Sequence, residues 1–123
     1  MPYIKSGDSR RETLQRGEPA LLAGELNYQI FYYVKHNLAV ADNCKYGQIK
    51  AYVANFLGEK PNYQRYNDMT GCLIRCSREL KRRLGVDIKV LISIMNFYDD
   101  EIAKYEDKKI RENGDVEWTI VLG

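Results

Sequence analysis

The sequence predicts a mainly α-helical protein, a single-domain bundle of about four helices with extended arms at both ends. The chain has 123 residues, the usual size of one domain. Hydrophobic residues make up 45% of it, enough for a core. Over residues 20–112 the apolar side chains recur at intervals of three and four, as on the buried face of a helix. We therefore divide the chain into an N-terminal arm (1–19), a helical core (20–112) and a C-terminal tail (113–123).

The N-terminal arm is polar and contains two glycines and two prolines. This composition predicts extended backbone with one turn of helix around Arg10–Gln15. The first long helix is predicted from Ala20 to Ala41. Its apolar face carries Leu22, Leu26, Ile30, Tyr33 and Val40.

Three further helices follow. The second is predicted over Lys45–Leu57 and ends at the Gly-Glu-Lys-Pro break of residues 58–61. Asn62 is a suitable N-cap for a third helix over Tyr63–Leu84, which Gly85 ends. The fourth is predicted over Ile88–Arg111.

The C-terminal tail begins with the helix-stop signal Asn113-Gly114-Asp115. Val116–Leu122 then alternates apolar and polar residues, the period of a short strand or an extended arm. Because a single strand needs a partner and Trp118, Ile120 and Leu122 are apolar, we expect the protein to form a homo-oligomer.

Charge and composition exclude several classes of protein. The 19 basic and 17 acidic residues give a net charge of +2, too small for a dedicated duplex-DNA binder. No apolar run follows Met1, and the apolar cluster near Val90–Met95 is too short to span a membrane. We therefore expect a cytoplasmic protein without a membrane partner.

The three cysteines are an odd number, which argues against a disulfide framework. Cys72 and Cys76 share a helix face and are predicted to be buried thiols rather than half of a metal site. We predict no metal and no cofactor. The single histidine, His36, is predicted to lie on the surface.

Candidate ligand-binding residues fall into two groups. Arg75, Arg78 and Arg82 share one face of the third helix and can hold a phosphate by bidentate hydrogen bonds, although a solvated helix end has the same pattern. Arg10 and Arg11 are a second choice for the phosphate. Aromatic, amide and basic residues suited to a base lie elsewhere: Tyr3, Asn27, Tyr28, Tyr105, Lys109 and Asn113.

Acidic residues near the end of the fourth helix allow another interpretation. Asp99, Asp100, Glu101, Glu106 and Asp107 could bind Mg²⁺ for nucleotide hydrolysis if Glu25 and Glu79 faced them from other helices. The alternative is a solvated face on which Glu101 pairs with nearby lysines. The interleaved lysines favour the solvated face.

Four blocks of the sequence resemble a family of small uncharacterised proteins common in bacteriophages and also present in bacterial genomes. The blocks are Pro2-Tyr3-Ile4; Glu25-Leu26-Asn27-Tyr28; Tyr66-Asn67 with Gly71-Cys72-Leu73 and Glu79; and Tyr105-Glu106-Asp107 through Asn113-Gly114-Asp115-Val116. The chain departs from that pattern in a longer stretch between the second and third blocks, in most of the fourth helix ahead of Tyr105, and in the tail Glu117–Gly123. The resemblance implies a phage-type accessory protein and implies no reaction.

Taken together, the sequence predicts a non-enzymatic protein that binds and sequesters an anionic, nucleotide-like ligand in an oligomer. Some oligomeric phage proteins sequester cyclic-nucleotide immune signals in this way, and the comparison is one of analogy. Two alternatives stay open. One is an interaction module that docks on a host or phage protein complex, and the other is a Mg²⁺-dependent nucleotide pyrophosphohydrolase using Glu25, Glu79, Asp100 and Glu101.

Overall fold

A computed structural model describes residues 4–116 as five α-helices, and these residues form no strand. The helices are α1 (Ser9–Gln15), α2 (Ala23–Lys35), α3 (Asp42–Leu57), α4 (Tyr63–Leu84) and α5 (Lys89–Asn113). The predicted mainly α fold is confirmed. The count is five rather than about four because the turn expected around Arg10–Gln15 is a helix of its own, which begins where the Asp8 carboxylate accepts the Arg10 N–H at 2.8 Å.

α4 has the predicted bounds because both of its ends carry local signals. The Asn62 side chain accepts the backbone N–H of Arg65 at 2.8 Å and caps the first turn. At the other end Gly85 adopts a left-handed conformation with a φ of +65°, which a residue with a Cβ rarely adopts. Lys81, Arg82 and Arg83 occupy the last turn, where cations interact favourably with the helix dipole.

α2 is shorter than the predicted Ala20–Ala41 helix. Leu22 has extended backbone and precedes the helix, so its side chain is 66% exposed, and the prediction that it is buried is wrong. Long-range contacts hold the backbone at this start. Arg65 Nη1 donates to the Leu21 carbonyl at 2.7 Å, and Arg10 binds the Glu25 carboxylate, which also accepts the Leu21 N–H at 2.9 Å. After Lys35 the chain turns, and α3 then begins at Asp42.

The core forms where α2 and α4 pack on each other and on the remaining helices. α2 and α4 run in the same direction. At their N-terminal ends Arg65 Nη1 donates to the Leu21 carbonyl at 2.7 Å, and at their C-terminal ends the Arg83 guanidinium lies 4.4 Å from the centroid of the Phe31 ring. The largest fully buried side chains include Leu14, Leu26, Ile30, Ile49, Met69, Leu73, Leu80, Leu91 and Ile94.

Cys72 and Cys76 are buried in this core, as predicted, and both are free thiols. Burial raises the pKa of Cys72 to about 12 and raises that of Cys76 well above the ordinary range. Cys44 is exposed.

The predicted C-terminal strand, Val116–Leu122, lies outside the described residues except for Val116, which is 85% exposed and has no regular structure. Within residues 4–116, no helix combines the length and the apolar character needed to cross a membrane.

Candidate ligand-binding cleft

A cleft of about 320 Å³ lies between α1, one face of α2 and the C-terminal part of α4. α2 supplies most of its wall because side chains three and four residues apart lie on one face of a helix. The lining residues are Arg11 and Gln15 from α1; Asn27, Tyr28, Phe31, Tyr32, Lys35 and the following His36 from α2; and Glu79 and Arg83 from α4.

Basic side chains form the rim of the cleft. The Arg83 guanidinium lies over the Phe31 ring and 3.5 Å from Glu79 Oε2, and its side chain is 43% exposed. The Arg11 guanidinium lies 5.3 Å from the centroid of the Tyr28 ring. With Lys35, three cations surround one carboxylate, so the cleft carries a local positive excess suited to an anion.

Aromatic rings line the α2 wall. The Tyr28 and Tyr32 rings are 6.1 Å apart with 23° between their planes, and the His36 ring lies 4.4 Å beyond Tyr32. Gln15 Nε2 donates to the Tyr28 hydroxyl at 2.8 Å, which fixes the first ring. Half-buried rings held in this way offer flat apolar faces on which a planar ligand can stack.

Asn27 is the most unusual residue of the cleft. Its side chain is 2% exposed, and its Oδ1 atom is buried without a hydrogen-bond partner among residues 4–116. An unpaired buried polar group costs about 1–3 kcal/mol. Because Oδ1 itself is buried, a ligand in the cleft would meet the Nδ2 group of this amide, which is a hydrogen-bond donor.

Glu79 places a carboxylate in the wall of the same cleft. It is 3% exposed, and among the described residues its one hydrogen bond is the 3.5 Å contact from Arg83. Such a contact is long for a charged pair, which normally lies at about 2.7–2.9 Å. Glu79 therefore has acceptor capacity to spare.

Arg10 and Glu25 form a separate ion pair that joins α1 to α2. Arg10 Nε donates to Glu25 Oε2 at 2.7 Å and Nη2 donates to Oε1 at 2.9 Å, while Nη2 also donates to the Pro19 carbonyl. The bond from Arg10 holds the pKa of Glu25 below its usual range and raises that of Arg10. Neither residue lines the cleft.

The structure brings together three residues of the predicted set, Arg11, Asn27 and Tyr28, at the cleft. The arginines Arg75, Arg78 and Arg82 are exposed on α4 and lie outside the cleft lining.

The predicted residues of α5 lie elsewhere. The half-buried Tyr105 ring packs 5.6 Å from the Tyr66 ring, Lys109 lies over Tyr105, and Asn113 donates to the Lys109 carbonyl. Tyr3 lies outside the described residues.

The acidic side chains of α5 are exposed, and Glu101 pairs with Lys104 at 3.7 Å. In the part of the chain that the structure describes, no three His, Cys, Asp or Glu side chains are grouped so as to hold a metal ion. Glu25, the carboxylate proposed to complete a Mg²⁺ site, has both oxygens bonded to Arg10.

Six residues of the cleft lining were not predicted from the sequence: Gln15, Phe31, Tyr32, Lys35, His36 and Arg83. A signal for four of them was present, since Tyr28, Tyr32 and His36 recur at intervals of four, as do Asn27, Phe31 and Lys35. For Arg83 the position depends on how α4 is aligned with α2, which local sequence does not show.

Comparison of the chain with protein-family models, with curated proteins and with solved structures finds no match.

Proposed function

We propose that the protein binds a small anionic ligand with a planar ring, of the nucleotide kind, in the cleft between α1, α2 and α4. The observation that carries this proposal is the lining of the cleft, in which Arg11, Lys35 and Arg83 stand around the Tyr28 and Tyr32 rings of the α2 wall. The cations suit a phosphate, the rings suit a base, and the amide suits the polar edge of that base.

The proposed activity is binding without chemical change of the ligand. A protein that sequesters a nucleotide signal, as expected of a phage-type accessory protein, needs affinity and a sufficient number of sites, and an oligomer of this chain would multiply the sites. Oligomer formation is part of the proposal.

Arg83 and Arg82 provide a matched test. Both lie in the last turn of α4, but only Arg83 lines the cleft. Calorimetric titration with a panel of linear and cyclic nucleotides should show that Arg83→Ala weakens binding at least about tenfold, because hydrogen bonds to charged groups contribute about 1.5–3 kcal/mol. Arg82→Ala should bind as the wild type does.

If Arg82→Ala weakens binding and Arg83→Ala does not, the ligand binds on the arginine face of α4, and the proposal that it binds in the cleft is wrong. If the wild type binds no member of the panel, the proposal is wrong.

A protein-docking module is the second candidate, favoured by the exposed side chains of Leu21 and Leu22 beside the start of α4. Adjacent exposed leucines are typical of contact surfaces. This function predicts that no nucleotide binds and that Leu22→Asp abolishes capture of the partner protein.

A further inference from the structure

We propose that the cleft recognises guanine among the nucleobases and that Glu79 is the residue that reads it. This inference rests on the proposed function and deepens it, because it assigns the class of base that the same cleft accepts.

Glu79 is a buried carboxylate in the wall of the cleft. A carboxylate that is 3% exposed has lost most of its hydration, and the charge is normally offset by short hydrogen bonds. Here the described residues supply one contact, from Arg83 at 3.5 Å, and Arg83 also lies over the Phe31 ring. The carboxylate therefore lines the cleft with acceptor positions that a ligand can fill.

An ionised carboxylate only accepts hydrogen bonds, so it selects a ligand edge that only donates. Guanine presents two neighbouring donors, its N1–H and its N2 amino group, at a spacing that matches two carboxylate oxygens. Adenine presents one amino donor next to the N1 lone pair, and cytosine and uracil likewise place an acceptor beside a donor. Those three bases would bring a lone pair against Glu79, which is a repulsive contact.

Asn27 extends the match. Its amide lines the same cleft and offers its Nδ2 donor group to the guanine O6, while the buried Oδ1 atom takes no part. A site whose buried polar groups are paired by one ligand and left unpaired by another discriminates strongly between the two. The Tyr28 and Tyr32 rings form the wall beside the base. Lys35 is available to the phosphate, together with Arg11 Nη1, which has no hydrogen bond to the described residues.

The test is calorimetric titration of the full chain with GMP, inosine monophosphate and AMP. Inosine monophosphate keeps the N1–H and lacks the N2 amino group, so it separates the two donors. We expect the wild type to bind GMP at least about tenfold more tightly than AMP, with inosine monophosphate between them.

Glu79→Gln keeps the shape of the side chain and should remove the preference for GMP over AMP. Glu59→Gln changes an exposed carboxylate outside the cleft and should leave that preference unchanged. Circular dichroism checks that both variants fold. If Glu79→Gln does not fold, the order in which the wild type binds GMP, inosine monophosphate and AMP tests the guanine assignment by itself.

Equal binding of GMP and AMP, or tighter binding of AMP, would overturn the guanine assignment and leave the proposed function standing. Binding of none of the three, nor of any other nucleotide, would overturn the proposed function itself.

Discussion

At the scale of single residues, Arg10 joins three parts of the chain. Its guanidinium, on α1, donates to the Glu25 carboxylate in the first turn of α2 and to the Pro19 carbonyl between the two helices. Glu25 also accepts the Leu21 N–H. This partly buried bidentate pair therefore contributes to holding the short helix α1 against the bundle.

The Glu25 pair makes stability depend on pH. Its pKa is lowered in the folded state, so its contribution is complete above the pKa of an unfolded glutamate, about 4.3, and is lost as the pH falls through the folded value. We expect Glu25→Gln to lower the free energy of unfolding by about 1 kcal/mol at pH 7. The difference from the wild type should shrink at pH 3. Urea denaturation at both pH values measures it.

Glu59→Gln is the control for that experiment, because Glu59 is exposed and forms no ion pair with the described residues. A difference between wild type and Glu25→Gln that is the same at pH 7 and pH 3 would contradict the role assigned to the ion pair.

At the scale of elements, α4 is the helix best specified by its own sequence. Asn62 caps its start, Gly85 ends it, and its buried side chains recur at intervals of three and four, among them Met69, Leu73 and Leu80. The N-cap residue of α2, Leu22, makes no side-chain cap, whereas at the other end Asn37 Nδ2 donates to the Tyr33 carbonyl at 2.7 Å. The start of α2 depends on the Glu25 contact and on packing against α4.

The Asn62 cap can be measured directly. Asn62→Ala removes the acceptor of the Arg65 N–H, and loss of such a cap costs about 1 kcal/mol. Asn96→Ala is the matched control, since Asn96 is exposed within α5 and its side chain has no hydrogen bond to the described residues. Urea denaturation should show a loss of stability for Asn62→Ala only, and equal losses for both variants would exclude a specific cap.

At the scale of the whole molecule, the described structure leaves apolar residues exposed, including Leu21, Leu22, Tyr63 and Phe97. α5 also continues past Tyr105 with only exposed side chains up to Val116. Beyond it follow the apolar residues Trp118, Ile120 and Leu122. A surface of this kind is typical of a chain that associates with another copy or with a partner.

We expect deletion of Glu117–Gly123 to lower both the native mass and the thermal stability of the protein. The reason is that the tail would otherwise bury apolar surface between subunits. Native mass spectrometry of the full chain and the truncated chain measures the first effect, and thermal unfolding measures the second. Arg83→Ala, altered only at the cleft, should keep the native mass of the wild type. An unchanged mass and stability after truncation would show that the tail does not mediate assembly.

The helices could be predicted from the sequence because the spacing of apolar residues, the caps and the helix-stop signals are all local. The bounds of α4 and the burial of Cys72 and Cys76 are examples. The exposure of Leu22 could not be predicted from the local sequence, because the start of α2 is held by Arg10, which binds Glu25 from α1, and by Arg65, which donates to the Leu21 carbonyl from α4. The residues of the cleft could be predicted only in part. Asn27 and Tyr28 stand out by residue type, whereas Arg83 reaches them only because α2 and α4 run side by side in the same direction.

Arg11 gives the N-terminal segment an energetic connection to the cleft. Its guanidinium donates twice to the Ile4 carbonyl, at 2.9 and 2.6 Å, and also lies over the Tyr28 ring. Thermodynamic linkage is reciprocal, so any factor by which anchoring of Ile4 changes ligand affinity is the factor by which the ligand changes that anchoring. Hydrogen exchange at the Lys5 N–H, which belongs to the same peptide group as the Ile4 carbonyl, would then report from a distance whether the cleft is occupied.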